Sequence, residues 1–287
     1  MYLAGLYSRV SYLFTPPPVD NMDLYLAGPI HHGTGAIKQE ATMNLYLAGE
    51  HDTKNGRNAL SEDVMVLESY YYAKDNRFIT ALIPKFRKFL LDSGAFTFMQ
   101  GKGAAVNWDN YVDQYAEFIL ANNVTRYFEM DIDSIAGLRE VERLRDRLET
   151  KTNRKCIPVW HKSRGKDYWI KMAKEYDYIA IGGIVSGEIK KDEFRYFPAL
   201  IQMAGEHGAK VHGLGFTQLA GLTKYKFYSV DSTAWLYGNR SGFVQRFNGE
   251  TLVKISAPAG MKMKARETAI YNFNEWVKFQ RYAEKHL

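Results

Sequence analysis

Strand-like and helix-like segments alternate along the chain from Asn44 onward, and this alternation predicts an α/β fold with a parallel sheet. Helical segments of ten or so residues between strands are typical of βαβ units. Seven strand-like segments can be counted, at 45–47, 88–91, 126–130, 156–160, 178–181, 210–211 and 226–230. For a chain of 287 residues, this count favours a (β/α)8 TIM barrel over an open doubly wound sheet.

The predicted helices lie between and after these strands. Residues 107–122 show the clearest pattern, because apolar side chains recur there near helical spacing. Further helices are expected at 63–74 (with Ser61 as N-cap), 134–149, 167–175, 193–207, 218–222 and 267–286. The sequence of residues 243–255 predicts a β-hairpin that turns at Asn248-Gly249. The eighth barrel strand is expected either after Gly242 or in an early segment of the chain.

The N-terminal part of the chain repeats a short segment. Tyr-Leu-Ala-Gly begins at Tyr2, Tyr25 and Tyr46, and the prolines at 16–18 separate the first two copies. Three brief copies are too few for a solenoid. We therefore expect residues 1–42 to be an extension or a duplicated start and residues 43–287 to form one barrel domain. An extra hairpin or cap built from the early copies is the alternative.

Composition narrows the classes of function. The sole cysteine, Cys156, excludes an internal disulfide and a multi-cysteine zinc site. No apolar run approaches the roughly 20 residues of a membrane helix, so we expect a cytoplasmic protein with no membrane partner. The net charge of +6 and the pI of about 9.1 are compatible with a nucleic-acid partner without establishing one.

Polar and glycine residues collect directly after the predicted strands. Two of them, Asp92 and Asp231, are carboxylates at the ends of apolar runs. Because the active site of a (β/α)8 barrel lies at the carboxyl ends of its strands, one could act as a nucleophile and the other as a general acid/base. Capping of a loop or helix is the alternative for both. The other predicted strand ends carry Asp131, Asp133, His161, Gly182, Gly183 and Gly215.

Five short blocks in the same order resemble those of the queuine- and archaeosine-type tRNA-guanine transglycosylases. The chain is most similar to their shorter phage-type relatives, the DpdA-like 7-deazaguanine DNA transglycosylases. The resemblance covers about 91–242, and its blocks are Asp92-Ser93-Gly94-Ala95-Phe96, Met130-Asp131-Ile132-Asp133, Gly182 to Glu188, His212 to Gly215, and Asp231 with Arg240-Ser241-Gly242. Ala95 replaces the second glycine of the family's first block, and the family's second block is Phe-Asp-Glu.

The resemblance implies a role for each block. It makes Asp231 the nucleophile on C1′ of a deoxyguanosine, and Asp92 the group that protonates the leaving base and deprotonates the incoming one. Asp131, or Asp133 as the alternative, would accept hydrogen bonds from N1-H and the exocyclic amine of the base. For His161, a structural or incidental role is favoured over a catalytic one. Base contacts are expected from Ser93, Gly94, Phe96, His161, Gly182, Gly183, Ile184 and Gly215.

The chain lacks a feature of the tRNA-modifying members of the family, and this favours DNA as the substrate. The tRNA enzymes carry a zinc module of three cysteines and one histidine, which a chain with one cysteine cannot build. We therefore expect no metal, no cofactor, and as partners DNA and a 7-deazaguanine base of the preQ0 type. The same exchange on tRNA and a nucleoside or glycoside hydrolase are the alternatives, and the oligomeric state stays open. Phosphate contacts are expected from Lys162, Arg164, Lys166 and Arg240.

Overall fold

The computed structural model describes residues 43–49, 63–98, 106–257 and 264–287. All of these belong to the compact unit Gly35–Leu287. The predictions made for residues 1–42, including the first two Tyr-Leu-Ala-Gly copies, lie outside the described residues. The third copy forms the first described strand, as predicted.

Seven strands form one parallel sheet in the order β3-β2-β1-β7-β6-β5-β4. They are β1 (Asn44–Ala48), β2 (Met65–Ser69), β3 (Lys88–Asp92), β4 (Val159–Trp160), β5 (Tyr178–Ile181), β6 (Lys210–Gly213) and β7 (Ser229–Ser232). Two isolated parallel bridges, Leu91 with Tyr127 and Phe128 with Ile157, connect β3 to the chain just before β4. The seven strands and the bridged residues 127–128 thus make a closed ring of eight segments, which confirms the predicted barrel.

Helices connect the strands and cover the ring. The longer α-helices are Trp108–Ala121, Leu138–Thr152, Gly165–Glu175, Phe197–Gly205 and the closing helix Ala265–His286. The shorter ones are Tyr70–Ala73, Arg77–Leu82, Ala95–Thr97, Asp133–Ala136, Leu219–Tyr225 and Tyr237–Ser241. Turns of 3₁₀-helix occupy Ile83–Lys85, Lys162–Arg164, Lys191–Tyr196 and Ala234–Leu236. Among the described helices, none combines the length and apolar character that crossing a membrane requires.

Strand β2 corrects the prediction of a helix over 63–74. Residues 64–67 are all buried, so this apolar run packs on both of its faces, as a strand of a parallel barrel does. Helical structure begins only at Tyr70. The strand missing from the sequence-based count is therefore β2, and the ring is complete without a strand after Gly242.

The segment predicted as a strand over 126–130 pairs through residues 127 and 128 only. Side chains replace ladder hydrogen bonds beside it. The Tyr115 hydroxyl lies 3.1 Å from the carbonyl oxygens of both Leu91 and Phe128. The Glu129 carboxylate accepts the amide of Val159 at 2.7 Å. Because a buried amide needs a partner, these side chains allow the ring to close where the backbone pairing is short.

The predicted hairpin consists of β8 (Phe243–Phe247) and β9 (Leu252–Ser256), which pair only with each other among the described strands. It turns at Asn248-Gly249, as predicted, and Gly249 has a φ of 106°. The closing helix anchors it, since the Asn272 side chain accepts the amide of Gln245 at 2.8 Å.

The side chain of Gln280 in the closing helix joins the first two strands. Its nitrogen donates to the carbonyl oxygens of Leu45 at 2.6 Å and Met65 at 2.9 Å, and its oxygen accepts the Met65 amide at 3.0 Å. Strands β1 and β2 pair in register only at Leu47 and Ala48. The buried Gln280 therefore satisfies the backbone groups at the point where the two strands diverge.

We expect Gln280→Ala to lower the free energy of unfolding by about 2–5 kcal/mol, because three buried backbone groups would lose their partner. Urea denaturation of the whole chain measures this. The control is Gln202→Ala, which removes an exposed contact with Glu206 and should change stability by less than about 0.5 kcal/mol. Equal effects of the two substitutions would contradict the assigned role.

Candidate active site

Three aspartates from three parts of the barrel lie near one another at the carboxyl ends of the strands. Asp92 ends β3, Asp131 follows the bridged residues 127–128, and Asp231 lies in β7. Burial raises the pKa of Asp92 to about 7, and the negative charges of Asp131 and Asp231 add to the effect, against a hydrogen bond from the Gly94 amide. The structure thus brings together the predicted acid/base, the predicted base ligand and the predicted nucleophile.

The backbone after Asp92 is held by its neighbours. The amide of Gly94 donates to Asp92 Oδ2 at 2.9 Å, and the hydroxyl of Tyr111 donates to the carbonyl of Ser93 at 2.7 Å. Gly94 has a φ of 87°, and a Cβ there would lie 2.7 Å from Cβ of Tyr71. Glycine is therefore required at this position, whereas Ala95 fits without strain in the helix that follows.

Asp231 is almost completely buried, and its described contacts are on one oxygen. Oδ1 accepts the amide of Gly215 at 2.5 Å and lies 3.3 Å from Nε2 of His212. Nδ1 of His212 lies 2.6 Å from Oγ of Ser229, which in turn lies 2.5 Å from the hydroxyl of Tyr178. In the sequence, His212 is only part of a glycine-containing block, whereas in the structure it is a direct neighbour of the nucleophile candidate.

His161 lies between two carboxylates. Its Nε2 contacts the Asp131 carboxylate, and its Nδ1 lies 2.7 Å from Oε2 of Glu188. Burial alone would lower the pKa of His161, but the charges and hydrogen bonds of Asp131 and Glu188 outweigh it and raise that pKa to about 11. His161 is therefore an imidazolium at neutral pH, and it fixes the orientation of Asp131.

The two glycines after β5 leave room for this arrangement. A Cβ on Gly182 would lie 3.0 Å from Cε1 of His161, and a Cβ on Gly183 would lie 2.8 Å from Oε2 of Glu188. The Ser163 amide donates to the other oxygen of Glu188 at 3.1 Å. The partnership of Glu188 with His161 was missed in the sequence, because the two residues are 27 positions apart.

Asp133 has different partners from Asp131. The Arg164 guanidinium donates to its two oxygens, from Nε at 2.7 Å and from Nη2 at 2.6 Å. The third donor, Nη1, reaches the fully buried Glu129 at 3.0 Å. Asp133 thus belongs to a buried ion-pair network, while Asp131 lies beside His161.

Lys162 and Arg164, from which phosphate contacts are expected, lie buried within the protein. The ammonium of Lys162 donates to the Glu193 carboxylate at 2.6 Å, and both residues are buried. Arg164 is equally buried between Asp133 and Glu129. Carboxylates within the protein neutralise both cations, so neither presents a free charge to solvent.

For the remaining residues with predicted base or phosphate contacts, the structure gives mainly their burial. Ser93 is fully buried, and Ile184, Gly215 and Lys166 are half-buried. The side chains of Phe96 and Arg240 lie outside the described part of the chain.

Asp131, Asp133 and His161 offer ligand atoms within 4.8 Å of one another, a spacing that suits a metal ion. However, Arg164 already binds both oxygens of Asp133. That no metal is needed stays a prediction.

No protein-family model and no curated protein matches the chain. A solved structure assigned as a fructose-1,6-biphosphate aldolase from Coccidioides immitis is similar, with a TM-score of 0.51, 9% identity, and coverage of 85% of this chain and 90% of that one. At this identity the likeness shows the fold alone. The carboxyl transferase domain of Rhizobium etli pyruvate carboxylase has a TM-score of 0.44 and 15% identity, with 85% of this chain and 48% of that chain covered. The present chain therefore spans about half of that structure's length.

Asp92 gives the stability of the protein a pH dependence of defined sign. Its pKa rises from 3.8 to about 7 on folding, so its ionisation destabilises the folded state as the pH rises through this interval. Asp92→Asn removes that cost. In urea denaturation, the stability of the variant relative to wild type should increase from about pH 5 to about pH 7 and level off above that.

Asp113→Asn is the control for this measurement. A hydrogen bond from Arg147 lowers the pKa of Asp113 to about 2, below the range tested, so its stability difference from wild type should stay constant. A constant difference for Asp92→Asn as well would show that Asp92 titrates normally.

Proposed function

We propose that the protein is a barrel enzyme that exchanges guanine in DNA for a 7-deazaguanine base, through a covalent bond between Asp231 and C1′ of the sugar. The observation that carries the proposal is the meeting of Asp92, Asp131 and Asp231 at the carboxyl ends of the barrel strands. Burial and the two neighbouring carboxylates raise the pKa of Asp92 there to about 7. A carboxyl group with that pKa gives and takes a proton at neutral pH. The anchored carboxylate of Asp231 beside it supplies a nucleophile.

The reaction has two balanced halves. In the first, an oxygen of Asp231 forms a bond to C1′ while the bond from C1′ to N9 of guanine breaks, and protonated Asp92 gives its proton to the departing base. In the second, Asp92 takes the proton from the incoming base, whose nitrogen attacks C1′ and releases the Asp231 carboxylate. A carboxylate suits both halves because the transition state resembles an oxocarbenium ion.

Recognition of the base is assigned to Asp131. Held by His161, its carboxylate would accept hydrogen bonds from N1-H and the exocyclic amine of guanine or of a 7-deazaguanine. The base must leave the DNA duplex to reach groups at the mouth of a barrel. The five family-like blocks support this assignment, and the single cysteine favours the DNA branch over the zinc-containing tRNA enzymes.

Labelled guanine, offered with DNA and with tRNA in parallel, tests the proposal. Incorporation of label into DNA supports it. Incorporation of label into tRNA alone would show that the substrate is tRNA and that the base-exchange reaction itself is as proposed. Unlabelled guanine released without incorporation would instead indicate a hydrolase on the same carboxylates.

Asp231→Ala should abolish exchange and remove any protein–DNA adduct that survives denaturation, since the covalent link would be lost. Gel electrophoresis under denaturing conditions detects the adduct. The control is Asp113→Ala, which removes a surface carboxylate paired with Arg147 and should leave exchange unchanged. Normal turnover by Asp231→Ala would refute the assignment of the nucleophile.

Asp131→Asn and Asp133→Asn should differ. In Asp131→Asn an acceptor becomes a donor facing the base, so kcat/KM should fall about ten- to hundred-fold while DNA affinity remains. Asp133→Asn weakens the pair with Arg164 and should lower stability by about 1–3 kcal/mol. Exchange kinetics and urea denaturation measure both. Loss of exchange in Asp133→Asn alone, at unchanged stability, would make Asp133 the base ligand.

A further inference from the structure

A line of polar side chains runs through the otherwise apolar interior of the barrel. Ser229 and Asp231 are two residues apart in β7 and therefore face the same side, and His212 of β6 is in register with Ser229. Tyr178 of β5 packs among interior residues such as Met65. His212 and Ser229 are fully buried. Burying polar groups is costly unless each finds a partner, so the pattern of donors and acceptors along this line is constrained.

A single arrangement of protons satisfies every contact and also leaves none of the hydrogens in this line without an acceptor. Burial raises the pKa of Tyr178 well above its usual range, so its hydroxyl keeps its hydrogen and donates to Ser229 Oγ. The Ser229 hydroxyl then donates to Nδ1 of His212, which must be unprotonated. The proton of the neutral imidazole lies on Nε2, which faces Asp231 Oδ1.

The other arrangements fail on simple counting. A proton on Nδ1 alone would turn the Nε2 lone pair toward the Asp231 carboxylate, where both groups are acceptors. Protons on both nitrogens would leave one hydroxyl hydrogen of Tyr178 or Ser229 without an acceptor among the described contacts, because three hydrogens would share two contacts, and an unpartnered buried donor is costly. The rings of Phe128 and Tyr46, with centroids 5.2 and 6.3 Å from that of His212, pack against the imidazole and hold its plane.

We propose that Ser229, which itself accepts from the Tyr178 hydroxyl, sets the tautomer of His212, and that His212 and Ser229 are positioning residues that hold an N–H on Oδ1 of the nucleophile Asp231. This inference rests on the proposed function. Together with the amide of Gly215, Oδ1 then receives two donors. Two donors fix the carboxylate and orient Oδ2 for attack on C1′. They also stabilise the carboxylate when the bond to C1′ breaks again, which base exchange requires in its second half.

Nitrogen NMR of the full-length chain labelled with ¹⁵N-histidine tests the tautomer directly. The His212 signals are identified by their loss in His212→Gln. We expect a protonated Nε2 and an unprotonated Nδ1 at neutral pH. In Ser229→Ala the Nδ1 resonance should move away from its wild-type position, because its donor is gone. In the matched variant Tyr178→Phe it should stay, since the Ser229–His212 bond remains.

The kinetic arm uses the same variants. Ser229→Ala should lower kcat for base exchange about ten- to hundred-fold with little change in the KM for DNA, because a buried acceptor beside the nucleophile loses its partner. Tyr178→Phe should stay within about three-fold of wild type, since only the distal bond is lost. If Ser229→Ala does not fold, Ser229→Cys replaces it, with the same direction of change.

Two results would overturn the inference: a proton on Nδ1 of His212 in the wild-type protein, or wild-type kcat in a folded Ser229 variant. Failure of the proposed function is distinguishable. If the wild-type protein exchanges no base on DNA or tRNA, the proposed function is refuted. The NMR spectra of wild type and Ser229→Ala then decide by themselves whether Ser229 sets the tautomer of His212.

Discussion

The buried carboxylate of Glu129 links the wall of the barrel to the groups at its mouth. One of its oxygens accepts the amide of Val159, where the backbone ladder is interrupted, and also the guanidinium of Arg164. Arg145 lies 3.4 Å from its other oxygen. Arg164 also binds Asp133. The buried carboxylate of Glu129 therefore determines both how the ring closes and where the loop after residues 127–128 lies. A buried ion pair of this kind contributes more to a defined geometry than to net stability.

The charges at the mouth are distributed unequally among the acidic groups. Asp131 has the imidazolium of His161 and Asp133 has the guanidinium of Arg164, whereas Asp92 has the amide of Gly94 and, among the ion pairs of the described residues, no cation. Burial without a cationic partner raises the pKa of Asp92, which suits a group that must carry a proton in the reaction.

Much of this arrangement could be predicted from the sequence. The alternation of strand-like and helix-like segments indicated the barrel. The positions of Asp92, Asp131 and Asp231 at predicted strand ends indicated the site. Strand β2 was missed because the run Val64 to Leu67, buried on both faces, has no alternation that separates it from a helix. The pairs His161–Glu188 and Lys162–Glu193 were missed because they join residues 27 and 31 positions apart, and no local pattern encodes such a contact. Burial of Lys162 follows from its pairing with Glu193, and burial of Arg164 from its pairing with Asp133 and Glu129, and neither follows from composition.

The contact of Gln280 with the first two strands also bears on how the chain reaches its native state. Its partners Leu45 and Met65 lie 235 and 215 residues earlier in the sequence. On a ribosome, these backbone groups of the early strands therefore lack their native partner until residue 280 has emerged. Contacts of such high sequence separation slow folding, because the entropy of closing the loop is lost before the contact forms. Closure of this barrel is consequently a late event in folding, and the edge of β1 that joins β7 is the surface that a chaperone would need to shield in the interval.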